Sequence, residues 1–238
     1  MTTATLTTTT LITGANKGLG REAARRLVAA GHIVYVGARD AERGRAAAVA
    51  VGGRFVALDV TSDESVRAAA KLIEAEIGHL DVLVNNAGIA GTGFRPAGEV
   101  TADDMQILYA TNVFGVVRVT QAFLPLLQNS AAPVIVNVSS GMGSFAVTTD
   151  PSRFESTLVG LAYPSSKAAL NMVTTMYAKA YPGMRINAVD PGYTATDLNG
   201  HRGTQTVEDG ARVIVAMARI TADGPTGTFT DATGAVGW

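Results

Sequence analysis

Short runs of β-branched and apolar residues alternate with long alanine-rich stretches along almost the whole chain, and the first junction between them is a glycine cluster, Thr13-Gly14-Ala15-Asn16-Lys17-Gly18-Leu19-Gly20. That alternation leaves few solutions. A strand followed by a helix before the next strand cannot close a hairpin, so the strands pair in parallel and the crossovers lay helices on both faces. The strand-like runs are Thr5–Thr13, Ile33–Ala38, Arg54–Leu58, Asp81–Asn85, Pro133–Ser139, Arg185–Val189 and a late one near Gly227–Thr230. Helical patterning fills Leu19–Ala30, Ala41–Val51, Asp63–Ile77, Ala102–Gln128, Pro164–Ala180 and Val207–Arg219. Gly31 and Gly78 stop the first and third helices, and Thr61-Ser62-Asp63-Glu64 and Thr101-Ala102-Asp103-Asp104 read as caps. The pattern predicts an α/β protein, a doubly wound parallel sheet of about seven strands in one domain over residues 1–238. In such a sheet, ligands sit beyond the carboxyl ends of the strands.

Charge removes several classes of partner. Lys and Arg number 19 against 20 Asp and Glu, with no like-charged run longer than a pair, so neither a nucleic-acid groove nor a basic membrane patch is expected. Cysteine is absent and the three histidines are scattered, which leaves no thiol chemistry and no expected metal site. Met1–Thr10 is threonine-rich without a basic or apolar leader, and no apolar run reaches the ~18 residues of a membrane span. These features set the expectation of a soluble, cytoplasmic protein.

The glycine cluster opens the first helix. Glycines there permit a tight turn and let backbone amides approach a pyrophosphate at the helix N-terminus; the GxxxGxG spacing lacks the Gly-Lys-Ser/Thr ending of an ATPase loop. A carboxylate at the end of the second strand would accept from a ribose 2′-hydroxyl and favour NAD(H). The aligned position holds Ala38, followed by Arg39, with Lys17 on the same side and Arg43 a third cation, a set that suits a 2′-phosphate and hence NADP(H) over NAD(H). Asp40 is the rival: a register two residues on turns the preference toward NAD(H). Asp59 ends the third strand, where it could accept from the adenine amino group or cap a helix.

Four further pieces follow strands or lie in helices near the expected nicotinamide: Asn85-Asn86-Ala87-Gly88, Asn112, Asn137-Val138-Ser139-Ser140-Gly141, and Tyr163-Pro164-Ser165-Ser166-Lys167, whose i,i+4 spacing sets phenol and ammonium on one helical face. Each alone is a weak signal; their order along the chain carries the weight. With Pro191-Gly192, that order resembles the short-chain dehydrogenase/reductase family over nearly the whole chain, and the glycine turn with Ala38-Arg39-Asp40 is most similar to NADPH-dependent carbonyl reductases. The resemblance implies a Rossmann-type fold, and catalytic roles for Ser140, Tyr163 and Lys167 with Asn112 as a fourth member. It implies cofactor contacts at Gly14, Asn16, Lys17, Gly18, Leu19, Gly20, Arg39, Asp59, Val60, Asn86, Ala87, Gly88, Tyr163, Lys167, Pro191, Gly192, Thr194 and Thr196.

The chemistry agrees. A phenol near pKa 10 is a poor acid–base group at neutral pH, and a neighbouring ammonium and an oxidised nicotinamide both favour its phenolate. Lys167 would supply that cation and hold the nicotinamide ribose; Ser140 would orient the carbonyl; Asn112, through its backbone and a water, would link Lys167 to solvent. Thr194 and Thr196 would touch the carboxamide, and Leu198–Thr206 reads as a mobile lid. Ser140 and Tyr163 lie 23 residues apart, farther than in most compact members, and the extra segment around Ala146–Gly160 bears on substrate choice and assembly. Phe94, Met142, Phe145, Leu158 and Tyr193 suggest an apolar or aryl small-molecule carbonyl or alcohol substrate; no cation is clearly placed to bind a carboxylate, though Arg95 and Arg153 could serve. The faces of Ala102–Gln128 and Pro164–Ala180 suggest a homo-oligomer, dimer or tetramer, which the insert could block. A carbonyl reductase or alcohol dehydrogenase leads; an acyl-carrier-protein or steroid-type ketoreductase and a non-catalytic NADP sensor stand as alternatives, though sensors commonly lose the Tyr or Lys present here.

Overall fold

The computed structural model describes residues 7–91 and 95–238. In chain order the elements are β1 (Thr9–Thr13), α1 (Gly18–Ala29), β2 (Ile33–Ala38), α2 (Ala41–Val51), β3 (Arg54–Ala57), α3 (Asp63–Glu76), β4 (Val82–Asn85), α4 (Ala102–Tyr109), α5 (Gly115–Gln128), β5 (Val134–Val138), α6 (Phe145–Thr148), α7 (Ala162–Ala180), β6 (Arg185–Val189), α8 (Val207–Ala218), β7 (Phe229–Asp231) and β8 (Gly234–Ala235). The strands form one sheet in the order β3-β2-β1-β4-β5-β6-β7-β8. The first seven run parallel, as expected. The eighth, β8, is a short antiparallel addition to β7 that no periodicity in the sequence announces. Within the expected first strand, Thr5 and Leu6 lie outside the described residues.

Strand periodicity divides the core into two layers. Ile12, Val34, Val36, Val84 and Val136 point to the side covered by α1, α2 and α8. Their neighbours Leu11, Tyr35, Leu83, Ile135 and Ile186 point to the side covered by α3, α5 and α7. Leu83 pairs in register with Leu11 and Ile135, all fully buried, so truncating it to Ala would cost about 2–5 kcal/mol. Helix starts follow the capping signals: Ser62 accepts from the Ser65 amide at α3, and Thr101 and Asp104 form a reciprocal capping box at α4. Gly31 and Gly78 both take positive φ at the stops where they were expected.

The stretch Ala102–Gln128 is long and apolar enough to be read as one helix, and here the structure differs. Between α4 and α5 the chain makes a single π turn, Ala110–Phe114, with the Gly115 amide bonding the Ala110 carbonyl. The extra residue rotates Asn112 into the interior, where it is 1% exposed. Such turns recur at functional sites because they re-aim one side chain without ending the helix.

The order of strands reverses at β1, which lies between β2 and β4, so successive crossovers diverge there and open a crevice at the carboxyl ends of β1 and β4. The chemistry-bearing segments converge on that edge.

Candidate active site

The floor of the crevice is the turn Gly14–Lys17. Gly14 has φ +63°, and a Cβ there would stand 2.9 Å from the Ala87 Cα, so only glycine lets the two loops meet. Asn86 stitches them: its Nδ2 donates to the carbonyls of Thr13 (2.9 Å) and Gly14 (3.2 Å), while the Asn86 and Ala87 amides donate to Thr13 Oγ1. The Asn86 amide is therefore spent on shaping the turn. Helix α1 begins without a side-chain cap and without an acid in its first turn, whereas α2, α3, α4 and α8 have both. Its first amides, together with Gly18 and Leu19 at its start, present a positive helix end to the crevice, which fits the pyrophosphate of a dinucleotide.

At the outer end, β2 stops at Ala38, which is buried, and Arg39 is exposed just beyond it. Asp40 is committed elsewhere. It caps α2, accepting from the Arg43 amide (3.0 Å), and it pairs with the Arg43 guanidinium at 3.5 Å. Lys17 is paired as well, with Asp197 at 2.6 Å on the far side of the crevice. Asp59 Oδ1 accepts from the amide and hydroxyl of Thr61, and these bonds hold its carboxyl below the usual carboxylate range, with Arg39 adding attraction. Val60 next to it is buried, and its carbonyl accepts from Arg118.

The inner end is built on α7. Tyr163, in its first turn, and Lys167, one turn on, face the segment after β5 that carries Ser140. Pro164 falls within the first turn, where its missing amide has no helical partner to lose. The Lys167 ammonium is buried, donates to the Val138 carbonyl at 2.8 Å and lies 5.7 Å from the Tyr163 ring centroid. Gly88 stands beside it: a Cβ there would lie 3.5 Å from Asn112 Oδ1 and 3.7 Å from the Lys167 Nζ. Asn112 Oδ1 accepts from the Ile89 amide, and its Nδ2 donates to the Ile89 carbonyl and the Ser166 hydroxyl, so its side chain fastens α7 to the loop after β4. Asn112 was expected to act through its backbone; its side chain is also a brace between two elements of the site.

Of the two serines after β5, the structure separates the roles. The Ser139 hydroxyl is buried and donates to Asn171 at 2.5 Å. Ser140 Oγ accepts from the Met142 amide at 3.2 Å, which leaves its own proton to give, and it contacts the Tyr163 phenol.

Burial pushes the Tyr163 phenol up to about 12; the Ser140 hydrogen bond opposes this, and Asp190 adds to it. The Lys167 ammonium, expected to lower the phenol, is held beside it by the Val138 carbonyl. Burial takes Lys167 itself down to about 8, with the Asp190 carboxylate working against that fall. Asp190 joins the site without a motif of its own to mark it. It is 6% exposed, accepts from the Gly192 amide at 2.9 Å, and burial raises its carboxyl above the usual range. Its signal was present in Asp190-Pro191-Gly192, an acid at a buried strand end.

Beyond β6 the expected lid is a small folded cap. Thr194 and Gln205 form a bridge at its base, Asp197–Asn199 make a turn of 3-10 helix, and the His201 amide bonds the Thr196 carbonyl at 2.9 Å. The Thr194 hydroxyl, expected to meet the carboxamide, is buried and committed: it donates toward the Pro191 and Gly192 carbonyls and accepts from Gln205, which also bonds Pro191. Thr196 remains at the crevice, its methyl beside Gly18. Among the residues expected around a substrate, Phe145 and Tyr193 are exposed and Leu158 is half-buried, but Met142 is buried. Phe94 lies outside the described residues. Phe154, from the segment between Ser140 and Tyr163, packs against Tyr193 with centroids 6.1 Å apart, joining the insert to the cap. Both candidate arginines are engaged: Arg95 with Asp104 and the Glu99 carbonyl, Arg153 with Glu155.

Taken together, a Rossmann-type sheet, an uncapped glycine turn at its switch point and a Tyr–Lys–Ser cluster at the same edge define an oxidoreductase of the dinucleotide-binding class. The family model for short chain dehydrogenases matches residues 8–207, and the chain belongs to that family. It is similar to the (-)-isopiperitenone reductase of Mentha piperita (34% identity over 92% of this chain and 94% of the relative) and to the salutaridine reductase of Papaver bracteatum (31%, 93% of each). Among solved structures it resembles the NADPH-bound carbonyl reductase from chicken fatty liver, with TM-score 0.86, 28% identity and coverage of 98% and 99%.

Proposed function

We propose that this protein is an NADP(H)-dependent carbonyl reductase, reversible as an alcohol dehydrogenase, acting on an apolar or aryl ketone or aldehyde. The observation that carries the proposal is the stripe on α7 that sets the Tyr163 phenol and the Lys167 ammonium against Ser140 at the carboxyl edge of the sheet. A nicotinamide dinucleotide held by the glycine turn and Lys167 would supply the hydride. The chain's own residues handle the proton and the geometry. Ser140 donates a hydrogen bond from its hydroxyl to the substrate oxygen and orients the carbonyl. Tyr163 delivers a proton to the oxygen as its charge develops, and the nearby Lys167 cation offsets the charge left on the phenol. Asn112 keeps α7 in register with the loop after β4 while this happens.

Three features support NADP(H). No carboxylate ends β2, Asp40 is occupied as a cap, and Arg39 stands exposed just past the strand end, a cation suited to a 2′-phosphate. The NADPH-bound carbonyl reductase resembles this chain over nearly its full length, which adds to the case. An apolar substrate is supported by the exposed rings of Phe145, Phe154 and Tyr193 and by the engagement of Arg95 and Arg153. Two relatives are named as reductases, of isopiperitenone and of salutaridine. The same reading includes a homo-oligomer, supported by Ile107, Phe114, Met172 and Met176 left exposed on α4, the π turn and α7.

The test is oxidation of NADPH and of NADH, each followed at 340 nm, over a panel of terpenoid ketones, aryl ketones, quinones, steroids and acyl thioesters. Turnover of apolar ketones with NADPH, and weaker turnover with NADH, is expected. NADPH binding without oxidation by any of them would instead support a sensor.

A further inference from the structure

Tyr163, Lys167 and Asn171 recur every four residues along α7, so all three stand on one stripe of the helix. The reaction proposed above uses the first two. Asn171 is 4% exposed, and both ends of its amide are spent on the segment that carries Ser140. Its Oδ1 accepts from the Ser139 hydroxyl at 2.5 Å, and its Nδ2 donates to the Gly143 carbonyl at 3.1 Å. These contacts fall on either side of Ser140. Inside the span they close, the Gly143 amide bonds the Ser140 carbonyl at 2.9 Å and the Met142 amide bonds Ser140 Oγ at 3.2 Å. The other end of the segment is fixed by the Ser139 amide on the Val189 carbonyl of β6.

We propose that Asn171, with Ser139 as its partner, is a positioning residue for carbonyl reduction. It fixes the reach from Ser140 to Tyr163 by tying the Ser140 loop to the helix that carries the tyrosine. The paired serines then have separate duties: Ser139 anchors and Ser140 reacts. The proposal rests on the reading of Tyr163 and Ser140 given above. Without the amide the loop would keep its hydrogen bonds to β6 and within itself, and the Lys167 bond to the Val138 carbonyl, but lose both bonds that tie Ser139 and Gly143 to α7. Ser140 would then move relative to the phenol while the glycine turn, on the other side of the crevice, stayed as it is.

The polar stripe continues past Asn171 to Thr174, whose hydroxyl accepts from Asn137 at 2.9 Å and makes no bond to the Ser140 loop. That residue separates a general core effect from positioning.

The experiment compares Asn171→Leu, Ser139→Ala and Thr174→Val with the wild-type protein. For each, the thermal midpoint, NADPH affinity, kcat and KM in ketone reduction, and the pH profile of alcohol oxidation are measured, with hydrogen exchange over residues 139–146. Asn171→Leu is expected to lower kcat by roughly 10- to 100-fold, in keeping with the loss from a displacement of about 1 Å, with NADPH affinity within about twofold of wild type. Its oxidative pH limb moves upward, because the Ser140 hydrogen bond that draws the Tyr163 pKa down is weakened. Exchange at the Met142–Ser144 amides rises. Ser139→Ala moves each readout the same way to a lesser degree, and it carries the test alone if Asn171→Leu does not fold. Thr174→Val lowers the thermal midpoint and keeps the wild-type kcat and pH profile. The proposal is overturned by wild-type kcat and pH profile in Ser139→Ala or Asn171→Leu, or by an equal loss of kcat in Thr174→Val. If the wild-type protein reduces no carbonyl, the reaction reading fails. The exchange data then decide separately, and unchanged protection over 139–146 overturns the positioning role.

Discussion

Replacing Gly143 by alanine tests the closeness of the Ser140 loop and α7 with a single methyl group. Gly143 does not have positive φ, so alanine suffers no backbone penalty there, and the effect is purely one of space. The added Cβ would stand 2.6 Å from the Lys167 carbonyl carbon, 2.7 Å from the Lys167 Cβ and 2.9 Å from the Ala168 amide nitrogen. Two of these three atoms are helix backbone and cannot swing aside. To reach ordinary contact beyond 3.4 Å, the loop must retreat from α7 by roughly 0.8 Å. Overpacking of this kind costs about 1–3 kcal/mol of stability. The functional loss is larger, because the retreat carries Ser140 away from Tyr163, and a displacement near 1 Å costs about a hundredfold in rate. Steady-state reduction of a ketone, NADPH affinity by fluorescence and a thermal melt give the three quantities. The expected result is a kcat down by about 10- to 100-fold, a modest fall in Tm and near-normal NADPH affinity. Gly183→Ala, where a Cβ meets nothing within 4 Å, should match wild type in all three. A Gly143→Ala protein with wild-type kcat would refute the reasoning, since it would mean that the loop and helix need not touch.

Arg39→Asp should lower kcat/KM with NADPH by roughly 10- to 100-fold, the equivalent of one lost charge-assisted hydrogen bond, and raise it with NADH; an unchanged ratio of the two would show that Arg39 does not meet a 2′-phosphate. Lys17 and Asp197 are each more than half exposed, so Asp197→Asn should leave Tm nearly unchanged yet tighten NADPH by freeing the lysine, as a salt-dependent titration would reveal. Lys167 titrates at about 8, so reduction should be level at lower pH and decline above that value as the cation is lost. Asp190 raises the Lys167 pKa; Asp190→Asn should therefore move the alkaline limb of kcat/KM to lower pH, and a limb that stays in place or rises would contradict that coupling.

The sheet and the Tyr–Lys stripe were legible because they rest on local signals: strand runs bounded by glycine, capping residues, and an i,i+4 pair on a helix. The π turn was not. A run such as Ala102–Gln128 keeps helical periodicity on both sides of one extra residue, and nothing in it marks where the ladder changes from four-residue to five-residue bonds. The antiparallel β8 is two residues long, too short for any alternation to show. The status of the cations was also hidden. Lys17 reads as free until Asp197 is found opposite it, 180 residues away, and Asp40 reads as a rival ribose ligand until its helix-capping bond is seen. Asn171 and Asp190 carry a signal only in hindsight, one as the third member of a stripe and the other as a buried acid between a strand and a Pro-Gly turn. Their partners, the Ser139 hydroxyl and the Gly192 amide, come from folding rather than from spacing.

The central claim is that Tyr163 is the proton donor in an NADPH-dependent reduction. Its most direct test is Tyr163→Phe, assayed on a ketone that the wild-type protein reduces, with NADPH affinity measured on the same preparation. The account predicts a loss of turnover of about a hundredfold or more with NADPH still bound at close to wild-type affinity. Turnover within a few-fold of wild type would contradict it.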